Sequence, residues 1–508
     1  MPLLGALIKQ GLKLSQRVKR RGQTPIQQQR RVLKKLLKTA EFTALGTEYR
    51  FSDFFSARNF VRQFQEHVPV FNYNSIFDKW WHRSLAGEEN VAWNGRIKYF
   101  ALSSGTSESA SKHIPVTREM VRALRKASIR QMLTLSKYDL PASFFEKGIL
   151  WLGGSTDLKK NGGYYEGDVS GISARRVPIW FQKYYKPGKK ISKEKDWNIK
   201  LEEITLEAHK WDIGIITGVP AWVQLLIEKV ISHYKLKTIH DLWPNLKVYA
   251  HGGVSFEPYK KSFEKFFAHQ VHYIEMYPAS EGFIAFQAEP NPASGGMKLI
   301  LNNGIFFEFI PFDEKNFDAN GEPLLAAQTL LVNEVEEGKD YAILLSTCAG
   351  AWRYLIGDVI RFTSKENAEI IISGRTKHFL SLVGEHLCVD NMNKAVEQLS
   401  AKFNMEIPEF TVAGIPYEGS FAHKWFLGTN DHADENELKL QLDASLKALN
   451  DDYEVERRSA LKDVFVELVP AEKFYSFMAS KGKLGGQNKF PRVMKTAQLE
   501  EWERFLKQ

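Results

Sequence analysis

Four short apolar runs constrain this chain most. They read "GILWLGGS" (148–155), "DIGIITGVP" (212–220), "LKVYAHGGVSF" (246–256) and "VHYIEMYPASEGF" (271–283). Each has the length of a strand and carries glycine or proline at its end, and helical stretches such as "AWVQLLIEKVISHYK" (221–235) lie between them. Strands alternating with helices predict an α/β architecture in which the helices cover the sheet. Small residues at the strand ends let loops approach a ligand closely, which is where ligands of such folds sit.

This texture begins near Lys98. Residues 1–95 read mainly as helix, and Gly304 to Phe362 carries "GIFFEFIPF", "YAILLSTCAG" and "GDVIRF", β-rich runs that predict a hairpin-rich or barrel-like portion. After "AEIIISGRTKHF" the character changes again. A helix over "VDNMNKAVEQLSAKFN", a strand near "EFTVAGIPY", a helix over "ENELKLQLDASLKALN" and the glycine-rich "SKGKLGGQNKFPR" predict a small α+β domain. A chain of 508 residues is too long for one core, so we expect two units, 1–373 and 374–508, with the boundary near Gly374.

Composition excludes several classes. With 44% hydrophobic and 25% charged residues the chain is globular rather than disordered. No apolar run approaches the roughly 20 residues that span a bilayer, and the opening "MPLLGALIKQGLKLSQRVKRRG" makes a poor signal peptide. Two cysteines, Cys348 and Cys388, are too few for a disulfide framework, which fits a reducing, cytoplasmic setting. The net charge of +9 is not a nucleic-acid signal spread over the protein. Residues 1–40 hold eleven Lys/Arg and no acid, so the remainder is close to neutral. Leu3, Leu4, Leu7, Ile8 and then Val32, Leu33, Leu36, Leu37 recur there at helical spacing. Helices packed on the body with a solvated basic face explain this arm; weak contact with a membrane surface, and after it nucleic acid, are the other readings.

Candidate chemistry lies in four places. "YFALSSGTSESASKHIPVT" (99–117) concentrates small hydroxyl residues after a strand-like lead-in. Such a turn can aim amides and hydroxyls at phosphate, with Lys112 adding charge, although a solvated loop has the same composition. Glu281 in "EMYPASEGF" is placed to hold magnesium beside nucleotide phosphates, or is a turn glutamate. Asp358 in "YLIGDVI" suits ribose hydroxyls, because a carboxylate accepts several hydrogen bonds, or belongs to a common turn pair. Lys489 in "GGQNKFPR" is a cation on a glycine-rich loop. His269 and His272 have no third ligand nearby, and no G-x-S-x-G elbow occurs. Trp180, Phe181 and Trp222 are either pocket wall or core.

Taken in order, "SSGTS…K" (103–112), "YPASEG" (277–282), "YLIGD" (354–358), "GRTKHFLSLVGEHL" (374–387) and "NKFPR" (488–492) resemble the adenylate-forming superfamily. More narrowly the chain is similar to the auxin-responsive acyl-acid amido synthetases, and "KHIPVT" to their microbial branch. The likeness includes "QRRVLKKLLKTAEFTALGTEY" near the start. The resemblance implies a large N-terminal domain with a β-barrel portion, a small mobile C-terminal domain, ATP and Mg2+, and two half-reactions: a carboxylic acid becomes an acyl-adenylate, and an amine, an amino acid in the first place, displaces AMP. Carried over, Ser103, Ser104, Thr106 and Ser107 line the phosphate loop, and Tyr277 sits with Gly252 and Gly253 near the adenine, with Ser280 close by. Glu281 binds magnesium, Asp358 the ribose, Arg375 stands at the hinge and Lys489 reaches the site in one conformation. The partners implied are small-molecule acids and amines, not nucleic acid. The family's first motif has glycine soon after SSGTS; here Glu108 and Ser109 stand there, and a carboxylate near a triphosphate is repulsive unless it points outward. A thiol acceptor, a binding protein without turnover and a membrane-surface adaptor are the competing readings.

Overall fold

The computed structural model describes residues 9–11, 23–55, 57–103, 112–175, 177, 181–290, 292, 295–318, 321–376, 379–380, 385, 387–418, 420–457, 461–482 and 490–507. Helices dominate the first part. The helix Pro25–Ala40 starts at a Thr24 capping box and buries Leu33, Leu36, Leu37 and Ala40 at helical spacing. Gln29 stitches it to the body: its amide donates to Leu301 O (2.7 Å) and Ile305 O (3.0 Å) and accepts from Phe307 N (2.7 Å). The cationic side of the helix stays in solvent.

The strands follow in chain order: β1 (Tyr99–Ser103), β2 (Lys112–Val116), β3 (Gly148–Leu152), β4 (Lys159–Asn161), β5 (Tyr164–Gly167), β6 (Tyr185–Lys186), β7 (Ile213–Gly218), β8 (Val248–Gly252), β9 (His272–Ala279), β10 (Gly282–Phe286) and β11 (Met297–Leu299). Then come β12 (Ile305–Pro311), β13 (Asp340–Thr347), β14 (Tyr354–Ser364) and β15 (Glu369–Arg375). Eleven of these form one sheet, in the order β12-β13-β14-β15-β11-β10-β9-β8-β7-β3-β6. The apolar runs that opened the sequence argument are β3, β7, β8 and β9, paired in parallel as the alternating pattern predicts. From the β9–β10 hairpin onward pairing becomes antiparallel, so the hairpin-rich region over Gly304–Phe362 is the other wing of the same sheet. A smaller sheet, β2-β1-β5-β4, stands beside it.

That wing does not lie flat. Four strand-to-strand steps of about 4.8 Å would hold β9 and β14 about 19 Å apart in a flat sheet, yet the Tyr277 hydroxyl of β9 donates directly to Asp358 of β14. The register of β14 on β15 skips one residue between Val359 and Ile360 and another between Phe362 and Ser364, and such bulges bend and twist a ladder. The curled wing is the barrel-like portion anticipated from sequence.

The last part of the chain adds β16 (Phe379–Leu380), β17 (Leu387–Cys388), β18 (Glu409–Tyr417), β19 (Ser420–Gly428), β20 (Leu461–Val469) and β21 (Val493–Met494), with a sheet ordered β20-β19-β18-β21. Helices Val389–Phe403 and Glu435–Leu449 pack with Trp425 and Leu427, whereas helices Ala471–Ser480 and Thr496–Leu506 pack with Phe426. Alternate residues of β19 thus feed cores on opposite faces. Gly374, the expected boundary, lies one residue before the end of β15.

The helix Glu257–Phe266 makes one set of contacts between the large part and this last part, and Arg361 of β14 makes another with Asp390 at 3.8 Å. Tyr259 donates to Glu409 (2.5 Å), Lys261 to Asn404 (2.8 Å) and Ser262 to Glu406 (3.2 Å), while Lys265 pairs with Glu406. Arg492 holds the other oxygen of Glu409 at 2.8 Å and stacks on Phe410.

Candidate active site

The β9–β10 connection is a two-residue turn made of Ser280 and Glu281, with Ala279 paired to Gly282. Hairpin tips are normally in water, but Glu281 is 6% exposed. Burial raises its carboxyl to about 7; its own backbone N–H opposes this, and the negative charge of Asp358 adds to it. Among the described residues no cation is in ion-pair contact with it; Lys112 and Arg375 act on it through space.

Asp358 follows Gly357, whose φ of +90° turns the strand in a way a side chain would resist. One Asp358 oxygen accepts from Tyr277 and the other from Arg375 Nε at 2.9 Å, its cross-strand partner on β15. Arg375 also donates to Ile356 O (3.5 Å). Burial first, and then the Asp358 charge, hold the Tyr277 hydroxyl protonated well above its ordinary range. Sequence placed Arg375 at a hinge; the structure sets it within β15, clamping Asp358.

Gly252 ends β8 opposite Met276, so closely that a Cβ would stand 2.1 Å from the Met276 carbonyl oxygen. Only glycine permits that approach. Gly252, Gly253, Tyr277, Ser280, Glu281, Asp358 and Arg375 all face one cavity of about 2260 Å³. Ser103 and Lys112 face it too, and they are paired to each other at the ends of β1 and β2. Both ends of the serine-rich stretch are therefore at the cavity, whereas Ser104, Thr106, Ser107 and Glu108 lie outside the described residues, as do Lys489 and Trp180. From the C-terminal part, Phe490 and Arg492 reach the same wall. The volume exceeds the roughly 300–1,000 Å³ of a single small-molecule site, which suits a reaction with more than one substrate.

The structure adds residues the sequence argument did not single out. Tyr354, inside the quoted "YLIGD", is buried on the wall, and its hydroxyl is held protonated by burial and by the charge of Glu281. His251 stacks on Phe256 (4.4 Å), and burial lowers its pKa to about 3, so the ring is neutral. Its position before Gly252 was the available signal. Tyr259 and Glu409 are separated by 150 residues and gave none. Phe181 lines the cavity; Trp222 does so as well while packing on Trp197 (4.9 Å) in the core.

A hard divalent cation fits this donor set. Glu281 offers buried, uncompensated carboxylate oxygen next to a second carboxylate. Among the described residues no group of three His, Cys, Asp or Glu forms a metal cage. Mg2+ commonly takes one or two carboxylates and completes its shell with substrate phosphates and water.

Models of the GH3 family match most of the chain: its N-terminal domain over residues 15–202 and 170–271, its central domain over 298–370 and its C-terminal domain over 390–498. The chain belongs to the GH3 family. Among curated GH3 proteins it is similar to the jasmonoyl–L-amino acid synthetase GH3.5 of Oryza sativa subsp. japonica, 29% identical over 34% of this chain. It is also similar to the indole-3-acetic acid-amido synthetase GH3.4 of Arabidopsis thaliana, 27% identical over 43% of this chain. The matched stretches span 32% and 39% of those two relatives. In three dimensions the chain is similar to the GH3.15 acyl acid amido synthetase, with a TM-score of 0.76 at 17% identity, covering 98% of this chain and 96% of that one. A 2-hydroxyisobutyryl-CoA ligase in its postadenylation state superposes with a TM-score of 0.58 at 13% identity, covering 94% and 90%. These likenesses establish the fold as that of GH3 and adenylate-forming ligases, with a large α/β part and a separate C-terminal domain. Among the described residues no helix is long and apolar enough to cross a membrane.

Proposed function

We propose that this protein is an ATP-dependent ligase that activates a carboxylic acid as acyl-AMP and transfers the acyl group to an amine, in the first place an amino acid. One observation carries the reading. A buried glutamate with no counter-ion among the described residues shares a cavity with an aspartate clamped by Tyr277 and Arg375, and the C-terminal part also lines that cavity. Family membership and the names of the curated relatives support the amine acceptor.

In this reading a carboxylate oxygen of the acid attacks the α-phosphorus of ATP and pyrophosphate leaves. The amine nitrogen then attacks the acyl carbon, AMP leaves, and the nitrogen gives up a proton. Tyr277 and Arg375 each occupy one site on Asp358, so its remaining lone pairs accept from the two ribose hydroxyls. Gly252 and Gly253 leave room for the adenine beside Tyr277 and Ser280. Ser103, with Ser104, Thr106 and Ser107, donates to phosphate oxygens. Glu281 holds Mg2+, which when bound offsets the negative charge of the phosphates. Lys489 supplies a cation to the phosphoryl group in one arrangement of the domain 374–508, and a second arrangement admits the amine. Two free cysteines support a reducing cytoplasmic setting.

Pyrophosphate release from ATP and Mg2+ with a pool of carboxylic acids, with and without amino acids, tests this. Acid-dependent release that amino acids stimulate and Glu281→Ala abolishes is expected. ATP binding without release from any acid overturns it, and stimulation by coenzyme A in place of amino acids redirects it to a thioester ligase.

A further inference from the structure

Five of the cations that sequence located in residues 1–40 form a described surface, and that surface has an apolar end. On the helix Pro25–Ala40, Arg30, Arg31, Lys34, Lys35 and Lys38 are exposed, opposite the buried Leu33, Leu36 and Leu37. None of the five is in an ion pair with an acid of the described residues; Arg30 instead donates to Arg58 O and lies over Phe60. Four residues beyond Lys38 stands Phe42, 86% exposed.

A second helix, Arg118–Thr134, repeats the arrangement. Arg118, Arg122 and Arg125 are exposed and recur at i, i+4 and i+7, one stripe opposite the buried Met120, Leu124 and Ala127. The ion pair described on this stripe is the loose one from Arg122 to Glu119, at 3.7 Å. Four residues beyond Arg125 the stripe ends in Ile129, 53% exposed. The two helices flank one turn: Gln29 of the first donates to Leu301 O and Ile305 O, Asn303 between them donates to Ala123 O of the second, and Thr117, the cap of the second helix, donates to Cys348 O.

We propose that this two-helix face docks on an anionic lipid surface. Charge alone suits any polyanion, but each stripe ends in an exposed apolar side chain, which a phosphodiester backbone does not accommodate and the interfacial zone of a bilayer does. The preceding sequence points the same way. Residues 1–22 combine Leu3, Leu4, Leu7 and Ile8 with six cations and no acid. Arg125 and Ile129 also line the large cavity, so its mouth opens on this face. If the proposed ligase activity holds, the acid that enters there is one that partitions into the membrane, such as a long-chain acyl acid; the docking itself does not depend on that activity.

The test is co-sedimentation of the full chain with phosphatidylcholine vesicles, with and without 30% phosphatidylserine, at low and high salt. Binding to the anionic vesicles at least ten-fold tighter than to neutral ones is expected, and raising salt releases it as screening shortens. K34Q/K35Q/K38Q loses binding on the order of a hundred-fold, from about five-fold per cation removed at an anionic surface, and Phe42→Ala loses a few-fold. Circular dichroism melts and ATP-dependent pyrophosphate release, when present, show that these variants stay folded. Equal affinity for neutral vesicles, or unchanged binding by the triple variant, overturns the proposal. So does tighter binding to a duplex oligonucleotide that displaces the vesicles.

Discussion

Two buried glutamates, Glu308 and Glu281, show how the same side chain serves different ends in two regions of one sheet. Glu308 on β12 is 1% exposed, and Arg353 reaches both of its oxygens at 3.1 and 3.2 Å. Gln65 donates to it at 3.0 Å, and Arg353 is itself bound to the carbonyls of Gln65 and Val68. That charge is fully answered from within the protein and ties the first helices to the curled wing. Glu281, about as buried, is answered by no cation at contact among the described residues, and Asp358 opposes it. A folded chain tolerates such a cost where the missing partner arrives with a ligand.

The comparison breaks most visibly at Arg353. Arg353→Ala leaves Glu308 buried and unpaired and is expected to cost about 3–5 kcal/mol, read as a lower midpoint in urea unfolding. Glu281→Gln is expected to do the reverse, leaving stability unchanged or higher. It should lower acid-dependent pyrophosphate release by on the order of a hundred-fold, the scale of a lost electrostatic group. Equal destabilisation by both changes would erase the distinction.

The pH dependence sharpens it further. Glu281 in the folded protein titrates at about 7, above its unfolded value of 4.5. The unfolded chain therefore releases this proton first, and stability without ligand falls as pH rises from about 4.5 to 7, then levels. The drop is on the order of 3 kcal/mol at most. Glu281→Gln removes that slope and Glu308→Gln does not; urea midpoints across this range give the answer. Magnesium with ATP should also flatten it, since the bound cation favours the ionised form. The smallest effect is expected at Tyr259→Phe, which deletes the hydroxyl bonded to Glu409 while keeping the ring. Losing one hydrogen bond to a charged group costs about 1.5–3 kcal/mol of contact between the two parts. Faster hydrogen exchange at residues 404–410, with the rest of the protein unchanged, would register it.

Much of this was legible in sequence because it is local. Strand runs ending in glycine gave β3, β7, β8 and β9, while Gly252, Tyr277 and Ser280 were grouped by the family resemblance, and the structure sets all three on one cavity. Asp358 and Glu281 stood out as carboxylates beside glycine. That Glu281 is buried while Glu308 is paired could not be read, because both follow from how far the sheet curls. The hinge role of Arg375 came with the family resemblance; its contact with Asp358 could not be read, because it depends on strand register, which a one-residue bulge resets. The bridge from Tyr259 to Glu409 joins side chains 150 positions apart.

The register of β15 carries a consequence for insertions and deletions. Val359 pairs with Gly374 and Ile360 with Ile372, so Ser373 is the residue left out of the ladder, and its hydroxyl is buried with no partner among the described residues. Side chains alternate faces along a strand. Deleting Ser373 would close the ladder with Val359 still opposite Gly374 and Asp358 still opposite Arg375, so the pair keeps its face while the bend that the bulge imposes is lost. A single codon that encodes no functional group thus sets how far the strand bends beside the clamp on Asp358, and a natural loss of it would leave every motif residue in place on a straighter strand.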